Sequence, residues 1–329
     1  MKRKGSILII VLWSLFILGA LAVAMSGYVT AQINLSKKLS ERSRDYYLAK
    51  AGVERAIFEI KNDATEEYDA FTDSWGANTA AFKAVRLGDG TYSVYPFTGA
   101  GGAKVVRCGL SDEEGKINVN KAPKEVLKNI FQIQGGLPAD EAKEIAASII
   151  NWRSPADHAD KEGADAFHYD TLERPYKAKN APIESLEELV LIKGITAGVF
   201  AKVRDCLTLY GAGAVNVNTA GIPALRAIGM SEELAAKIVH FRGDNARQTA
   251  ENVFDDPARI AALLMKKESI SGEASGKISG LIAAGLLSVK SDNFSGVAAG
   301  NIGAAAKGGG AKIAFVFDRK NKVIRYWKE

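Results

Sequence analysis

An uncharged, mostly apolar run near the N-terminus constrains this chain more than any other feature. No charged residue lies between Lys4 and Lys37, and residues 7–29 are nearly all apolar. About 20 such residues span a bilayer as one helix, whereas the apolar core of a cleavable secretory signal is shorter. The run therefore predicts a membrane-spanning helix that stays in the mature protein.

The helical pattern continues beyond the length that a membrane requires. Apolar residues recur at helical spacing as far as Ile60, with charged residues between them. We expect one helix from about Ser6 to Lys61, on the order of 80 Å long, half in lipid and half amphipathic. Because cations precede the apolar run, the short N-terminus should stay in the cytoplasm and the rest should lie on the other side of the membrane.

The remainder of the chain alternates between strand-like and helical patterns. Alternation predicts a strand at 91–95, and two further strands at 312–318 and 323–327 that form a hairpin. The glycine- and alanine-rich stretch 295–311 is expected to be flexible. Residues 121–285 have helical patterns, so the sequence predicts β strands that enclose a large helical block.

This helical block contains an internal repeat. One copy begins "INVNKAP" and the other "VNVNTAG", and each continues through a leucine, a glycine turn and an Ala-x-x-Ile segment to a closing arginine. Each copy predicts an extended entry followed by two short helices around the glycine turn. Cys108 and Cys206 each precede the first asparagine of a copy by ten residues, and the sequence leaves open whether they pair.

The extreme N-terminus resembles a known processing site. A short basic leader ends in Lys4-Gly5-Ser6, directly before the apolar run. This resembles the site of type IV prepilins and type II secretion pseudopilins, where a prepilin peptidase cuts after the glycine and the new N-terminus is methylated. The resemblance implies cleavage between Gly5 and Ser6 and N-methylation of Ser6. Most members carry a glutamate at the fifth mature position, which is Ile10 here.

The order of the motifs is similar to that of one family of minor pseudopilins, the K subunit of type II secretion (GspK). Three segments carry the resemblance: "EEGKINVN", "EGADAFHYDTLERPYKAKNAPIESLEELVLIKGIT" and the terminal "AFVFDR…VIRYWKE". K subunits also characteristically lack the glutamate that Ile10 replaces. The resemblance implies an α+β fold, in which a pilin-like long helix packs on a small antiparallel sheet and an all-helical domain of duplicated hairpins is inserted in that sheet.

The resemblance also sets the expected organisation and surroundings of the chain. It implies a single-pass protein of the bacterial inner membrane with its bulk in the periplasm, at the tip of the pseudopilus, where it helps to initiate assembly for protein export. Its partners would be other minor pseudopilins of the I and J types, membrane lipid and, during maturation, the prepilin peptidase. The predicted segments are a leader at 1–5, a transmembrane helix at 6–29, its periplasmic continuation at 30–62, the first part of the β domain at 63–120, the inserted helical domain at 121–285 and the final strands at 286–329.

Two alternatives stay open at this point. One is a minor pilin of a type IV pilus. The other is a membrane-anchored DNA receptor, because the hairpins resemble helix-hairpin-helix modules. Such modules bind phosphate through backbone N–H groups at a Gly-x-Gly turn. The turns here, "QGGLP", "KGIT" and "IGMS", lack that spacing. The net charge of +5 does not require a nucleic acid, and the missing turn spacing disfavours binding of one.

The acidic loop at 154–170 is a candidate calcium site. Composition alone favours a solvated loop, and the spacing differs from that of an EF-hand. The family resemblance implies Ca²⁺ in the helical domain as a structural cofactor. The candidate ligands are Asp157, Glu162, Asp165 and Asp170.

Catalytic motifs are not apparent in the sequence. The three histidines fit no zinc-binding spacing, and the two cysteines form no Cys-x-x-Cys pair. Phosphate-binding, serine-hydrolase and dinucleotide motifs are also missing. We therefore expect a protein that is not an enzyme.

Overall fold

A computed structural model of the chain describes residues 4–97, 108–155, 160–164, 166–243, 248–302 and 310–329. The described part contains ten α-helices and ten β-strands, together with short 3₁₀ turns. In chain order, they are α1 (Lys4–Lys61), α2 (Thr79–Phe82), β1 (Val85–Leu87), β2 (Gly90–Pro96), β3 (Ser111–Asp112), β4 (Ile117–Asn118), α3 (Lys124–Ile133), α4 (Ala139–Arg153), α5 (Ala166–Asp170), α6 (Ala197–Val203), β5 (Leu207–Thr208), β6 (Val215–Asn216), α7 (Ile222–Ala227), α8 (Glu232–Arg242), α9 (Ile260–Glu268), α10 (Gly272–Ala283), β7 (Leu287–Ser288), β8 (Asn293–Ile302), β9 (Ala311–Asp318) and β10 (Val323–Lys328).

Helix α1 is a single uninterrupted helix, as the sequence predicts. Its N-terminal part is long and apolar enough to cross a membrane, and residues 7–44 are exposed throughout. Its C-terminal part buries one face against the sheet, through side chains at helical spacing: Ala49, Val53, Ala56 and Ile60. The change from exposed to buried therefore divides one helix into two segments with different surroundings.

The main sheet is antiparallel and packs on this buried face of α1. Its strands follow the order β1-β2-β8-β9-β10, and β3 pairs with β8 where β2 has ended. The predicted terminal hairpin is present as β9 and β10, with Val323 opposite Asp318 at its closed end. Strand β2 precedes the helical block in the sequence and β8 follows it, and the two strands pair with each other. The helical domain is therefore inserted in the sheet. The predicted α+β fold is confirmed.

Strand β8 corrects the expectation of flexibility for residues 295–302. Residues 303–309 of the predicted flexible stretch lie outside the described residues. Residues 293–302 form the central strand of the sheet, and helix α1 crosses it at very close range. A Cβ atom added at Gly300 would lie 2.2 Å from the carbonyl oxygen of Asp45 and 2.4 Å from the backbone nitrogen of Ala49. The small residues within β8 are therefore explained by helix–sheet packing rather than by mobility.

The inserted domain has its own core and two short parallel strand pairs. Strand β4 pairs with β5, and β6 pairs with β7. The core is continuous across both copies of the repeat, and includes Phe131, Trp152, Phe254 and Leu264. Each strand pair joins the start of a repeat copy to a strand after its helices, which gives both copies the same outline.

Candidate functional site

The exposed half of α1 carries most of the exposed large apolar side chains of the described residues. Ile10 is 67% exposed, and large apolar neighbours surround it along the helix. An apolar surface of this extent marks contact with lipid or with other proteins. Gly5 and Ser6 lie in the first turn of α1, and cleavage between them stays a prediction.

Three consecutive buried carboxylates join the helical domain to the sheet. They are Asp112, Glu113 and Glu114, which we call the acidic junction. Buried carboxylates are stable only when donors surround them. Each member of the acidic junction contacts a different part of the fold, so the three together fix how the inserted domain sits on the sheet.

Asp112 links β3 to the second repeat copy. Its Oδ2 accepts hydrogen bonds from the Oγ of Ser291 at 2.6 Å, the Oγ1 of Thr219 at 2.5 Å and the Nδ2 of Asn216 at 2.9 Å. Burial raises the pKa of Asp112, and these three donors oppose the increase. The donors come from sequence positions more than a hundred residues away, so this contact depends on the complete domain.

Glu113 links the sheet to the segment between the two copies. Its carboxylate accepts from the hydroxyl groups of Thr208 and Ser295, each at 2.5 Å, and lies 2.6 Å from the Nζ of Lys116. Burial disfavours the charged form, but Lys116 and the hydroxyl donors outweigh it and lower the pKa of Glu113. Glu113 is therefore an ionised buried contact.

Glu114 holds the start of β8. Its oxygens accept from the backbone nitrogen of Asn293 at 3.0 Å, from the Nδ2 of Asn293 at 2.9 Å and from the backbone nitrogen of Asp292 at 3.2 Å. Burial, and then the charge of Asp112, raise the pKa of Glu114 well above its usual range. The acidic junction thus combines a carboxylate that stays charged with two that are driven towards the neutral form.

The repeated Asn-Val-Asn segments form matching hydrogen-bond frames. In each copy the side chain of the first asparagine accepts a hydrogen bond from the backbone nitrogen of the second. The side chain of the second asparagine donates to the backbone carbonyl of one distant residue and accepts from the backbone nitrogen of that same residue. Asn120 pairs in this way with Ile183, and Asn218 pairs with Phe254. These asparagines hold the loops of each copy in place. The repeated Asn-Val-Asn segments in the sequence therefore correspond to repeated hydrogen bonds in the structure.

The helical hairpins offer little to a nucleic acid. Their turns contain Gly136, Gly194 and Gly229, each at a positive φ that favours glycine. Two of the three helices that follow begin with acidic residues, Asp140 and Glu141 in α4 and Glu232 and Glu233 in α8, whereas the first turn of α6 has none. Carboxylates in the first helical turn repel phosphate groups, so the starts of α4 and α8 are unfavourable for binding phosphate.

The acidic loop is engaged with lysines in the described residues. Glu162 lies 2.6 Å from the Nζ of Lys124 through Oε2 and 2.7 Å from the Nζ of Lys143 through Oε1. Lys124 and then Lys143 lower the pKa of Glu162. Both oxygens of this predicted ligand are therefore occupied by ammonium groups, and a calcium ion would have to displace them.

Only part of the predicted calcium site falls within the described residues. Asp157 and Asp165 lie outside them, whereas Asp170 is exposed at the end of α5. Asp160, which the sequence analysis left out of the ligand set, lies 2.6 Å from the Nζ of Lys124. The described half of the loop fits an ion-pair cluster, and calcium binding there stays a prediction.

The cysteines are free thiols in the structure. Cys108 is buried with the core between α1 and the sheet, whereas Cys206 packs against the core of the helical domain. Burial raises the pKa of Cys206 to about 11, which disfavours the reactive thiolate. The two cysteines therefore form no disulfide bond with each other in the structure. The raised pKa makes Cys206 a poor nucleophile.

Comparison with known proteins identifies the segment that contains the acidic junction, the first repeat copy and the acidic loop. Residues 108–212 match the family described as type II secretion system (T2SS), protein K. This segment is similar to the protein K family. The resemblance to the K subunit inferred from the sequence is thereby confirmed, and protein K is a component of a secretion system rather than a known enzyme family.

The fold of the chain is also similar to that of a solved structure. It is similar to a chain in the crystal structure of the GspK-GspI-GspJ complex from the type 2 secretion system of enterotoxigenic Escherichia coli. The TM-score is 0.60 at 15% identity, and the match covers 91% of this chain and 96% of that chain. At this identity the likeness establishes a shared fold. No curated protein matches the chain by sequence.

The sequence analysis missed the role of the acidic junction. Three adjacent acidic residues before Gly115 suggest a solvated turn, because carboxylates are seldom fully buried. Their donors, such as Asn216 and Asn293, lie far away in the sequence. The feature of the sequence that could have indicated the acidic junction is the pair of asparagine segments, because their polar side chains need hydrogen-bond partners when they are buried.

Proposed function

We propose that this protein is a minor pseudopilin of a type II secretion system and takes the tip position of the periplasmic pseudopilus. The observation that carries the proposal is the protein K segment at 108–212, set within a helical domain that interrupts a pilin-like sheet on α1. The exposed half of α1 supplies the apolar surface that packs in the membrane and later against partner helices.

Two features of the chain support the tip position. A carboxylate at the fifth mature position would pair with the N-terminal amine of the subunit above, and Ile10 makes no such pair. The inserted domain adds the helices α3–α10 between β3 and β8 in the chain, and this bulk would obstruct the addition of another subunit above. A subunit with neither the pairing group nor the free space fits the first position of a filament.

Maturation and orientation follow from the same proposal. Lys2, Arg3 and Lys4 keep the N-terminus in the cytoplasm, and the folded part enters the periplasm. A prepilin peptidase removes residues 1–5, and Ser6 becomes the methylated N-terminus. Initiation of pseudopilus assembly would then start from this subunit together with minor pseudopilins of the I and J types, the partners that appear with the similar chain in its complex.

Co-isolation from membranes tests the proposal. The full-length chain would carry an affinity tag after Glu329 and be expressed with I-type, J-type and major pseudopilins from the same bacterium. We expect one complex that contains this chain with the I-type and J-type subunits. Recovery of the chain with type IV pilus subunits instead, or with neither minor pseudopilin, would contradict it.

A further inference from the structure

A second group of carboxylates lies apart from the acidic loop, in the segment that follows α1. Asp63, Asp69 and Asp73 each place one oxygen within 4.8 Å of the corresponding oxygens of the other two. Oxygen ligands of a calcium ion lie 2.3–2.6 Å from it, so three oxygens at this separation fit around one ion. We call this group the aspartate triad.

The aspartate triad is buried and lacks enough positive charge. The side chains of Asp63 and Asp69 are 6% and 1% exposed. Arg319 is the cation paired with them among the described residues, with its Nη2 2.8 Å from the Oδ2 of Asp69 and its Nη1 3.7 Å from the Oδ2 of Asp63. Three ionised carboxylates with one guanidinium leave a net charge of about −2, which burial makes unfavourable.

Two buried oxygens without a hydrogen-bond donor provide an independent indication of a ligand. The Oδ1 of Asp69 and the Oδ2 of Asp63 are buried and accept no hydrogen bond from the described residues. The other oxygens have donors: Oδ2 of Asp69 accepts from the backbone nitrogen of Ser291 at 2.7 Å, and Oδ1 of Asp63 accepts from Thr65. Buried polar atoms without partners are rare and indicate a missing water or ion.

The backbone already fixes the aspartate triad in position. The backbone nitrogen of Asp69 donates to the carbonyl of Val289 at 2.8 Å, and the carbonyl of Asp69 accepts from Asn216 at 3.0 Å. Asp73 caps its own turn, because its Oδ2 accepts from the backbone nitrogen of Ala70 at 2.7 Å. These bonds hold the carboxylates close together despite their mutual repulsion.

We propose that Asp63, Asp69 and Asp73 bind one divalent cation, with Ca²⁺ as the best-suited ion. Calcium accepts irregular arrangements of carboxylate oxygens, whereas magnesium requires a near-ideal octahedron. The ion neutralises the negative charge that Arg319 does not balance, and it supplies a ligand contact for the two oxygens that accept no hydrogen bond. It thereby connects the end of α1 to the turn before β8 and to the turn after β9, where the sheet meets the helical domain.

A measurement of bound calcium on the full-length chain in detergent micelles tests this proposal. The acidic loop is first silenced by Asp157→Asn, Glu162→Gln, Asp165→Asn and Asp170→Asn, so that it cannot contribute. After treatment with EDTA, the chain is dialysed against CaCl₂ and its metal content is determined by mass spectrometry. We expect about one Ca²⁺ per chain.

Substitution of the aspartate triad in this silenced chain decides the outcome. Asp73→Asn should weaken calcium binding by at least ~10-fold, because it removes a charged ligand while leaving an oxygen for the turn. Asp140→Asn makes the same change at an exposed helix position and should leave binding unchanged. Asp63→Asn serves as a second triad variant, and far-UV circular dichroism verifies that each variant is folded.

Two results would overturn the proposal. One is a silenced chain that takes up no calcium, which would mean that protons rather than a cation neutralise the aspartate triad. The other is calcium binding by folded Asp73→Asn and Asp63→Asn variants that equals binding by Asp140→Asn, which would place the ion elsewhere.

Discussion

Arg153 and Arg242 occupy equivalent places in the two copies of the repeat. Each guanidinium donates to two backbone carbonyls of its own Asn-Val-Asn-x-Ala segment, those of Val119 and Ala122 in the first copy and those of Val217 and Ala220 in the second. The closing arginine of the sequence pattern therefore satisfies the carbonyls that the extended entry leaves unpaired. The two copies of the repeat therefore share the same arginine-to-carbonyl hydrogen bonds.

Removal of the second arginine should destabilise the helical domain. Arg242 is 3% exposed, so Arg242→Ala leaves two buried carbonyl groups without donors. We expect a loss of about 2–4 kcal/mol in the free energy of unfolding, measured by urea denaturation. Arg153→Ala should cost less, because Arg153 is only half-buried and water can replace its bonds. Equal costs for both variants would contradict this explanation.

Close packing between α1 and β8 predicts the effect of a single methyl group. Gly300→Ala would bring a Cβ atom against the backbone of α1, and should cost about 1–3 kcal/mol through displacement of the helix. Gly280→Ala is the matched control, since a Cβ there meets open space within α10. It should be neutral or stabilise by up to about 1 kcal/mol. Thermal unfolding would compare the two variants, and equal melting temperatures would rule out the close approach.

The aspartate triad predicts how stability depends on pH in the absence of a cation. Burial raises the pKa of Asp69 to about 7 and that of Asp73 to about 6, from an ordinary 3.8. At a pH between the ordinary pKa and the raised pKa, the folded chain holds protons that the unfolded chain releases. The free energy of unfolding should therefore fall as the pH rises from about 4 to 7. Denaturation in EDTA should show this slope in the wild type and a shallower slope in Asp69→Asn.

Saturating calcium provides the complementary measurement. Because the cation takes the place of the protons, stability near pH 7 should increase with calcium in the wild type and change little in Asp69→Asn. The exposed Asp140→Asn variant should behave as the wild type in both solutions. A wild-type slope that is flat in EDTA would show that the aspartate triad is not strongly desolvated.

The tip position predicts an unusual response to a glutamate in α1. In a subunit with a neighbour above, Ile10→Glu would gain an amine partner and would be tolerated better than Leu8→Glu. At the tip neither glutamate has such a partner, and both should reduce incorporation into the complex to a similar degree. Quantification of each variant in isolated complexes with I-type and J-type subunits measures this. Clearly better incorporation of Ile10→Glu than of Leu8→Glu would argue against the tip.

Local patterns in the sequence predicted much of the fold. Apolar periodicity located α1 to within a few residues, and strand alternation located the β9–β10 hairpin. The repeated asparagine segments indicated the duplication within the helical domain. These features were accessible because residues close together in the sequence determine them.

The features that the sequence concealed depend on contacts between distant residues. Glycine and alanine have low strand propensity, so β8 resembled a flexible segment until α1 was seen packed against Gly300. The sequence gives no sign that Asp69 and Asp112 are buried, because they have hydrogen-bond partners more than a hundred residues away. A pattern of single residues carries no record of such partners.

Mass spectrometry of the mature N-terminus tests the central claim most directly. The full-length chain would be isolated from membranes of cells that contain a prepilin peptidase. A minor pseudopilin should begin at an N-methylated Ser6, with residues 1–5 removed and α1 otherwise intact. A membrane-inserted chain that retains Met1, or one cut within or after the apolar run, would contradict it.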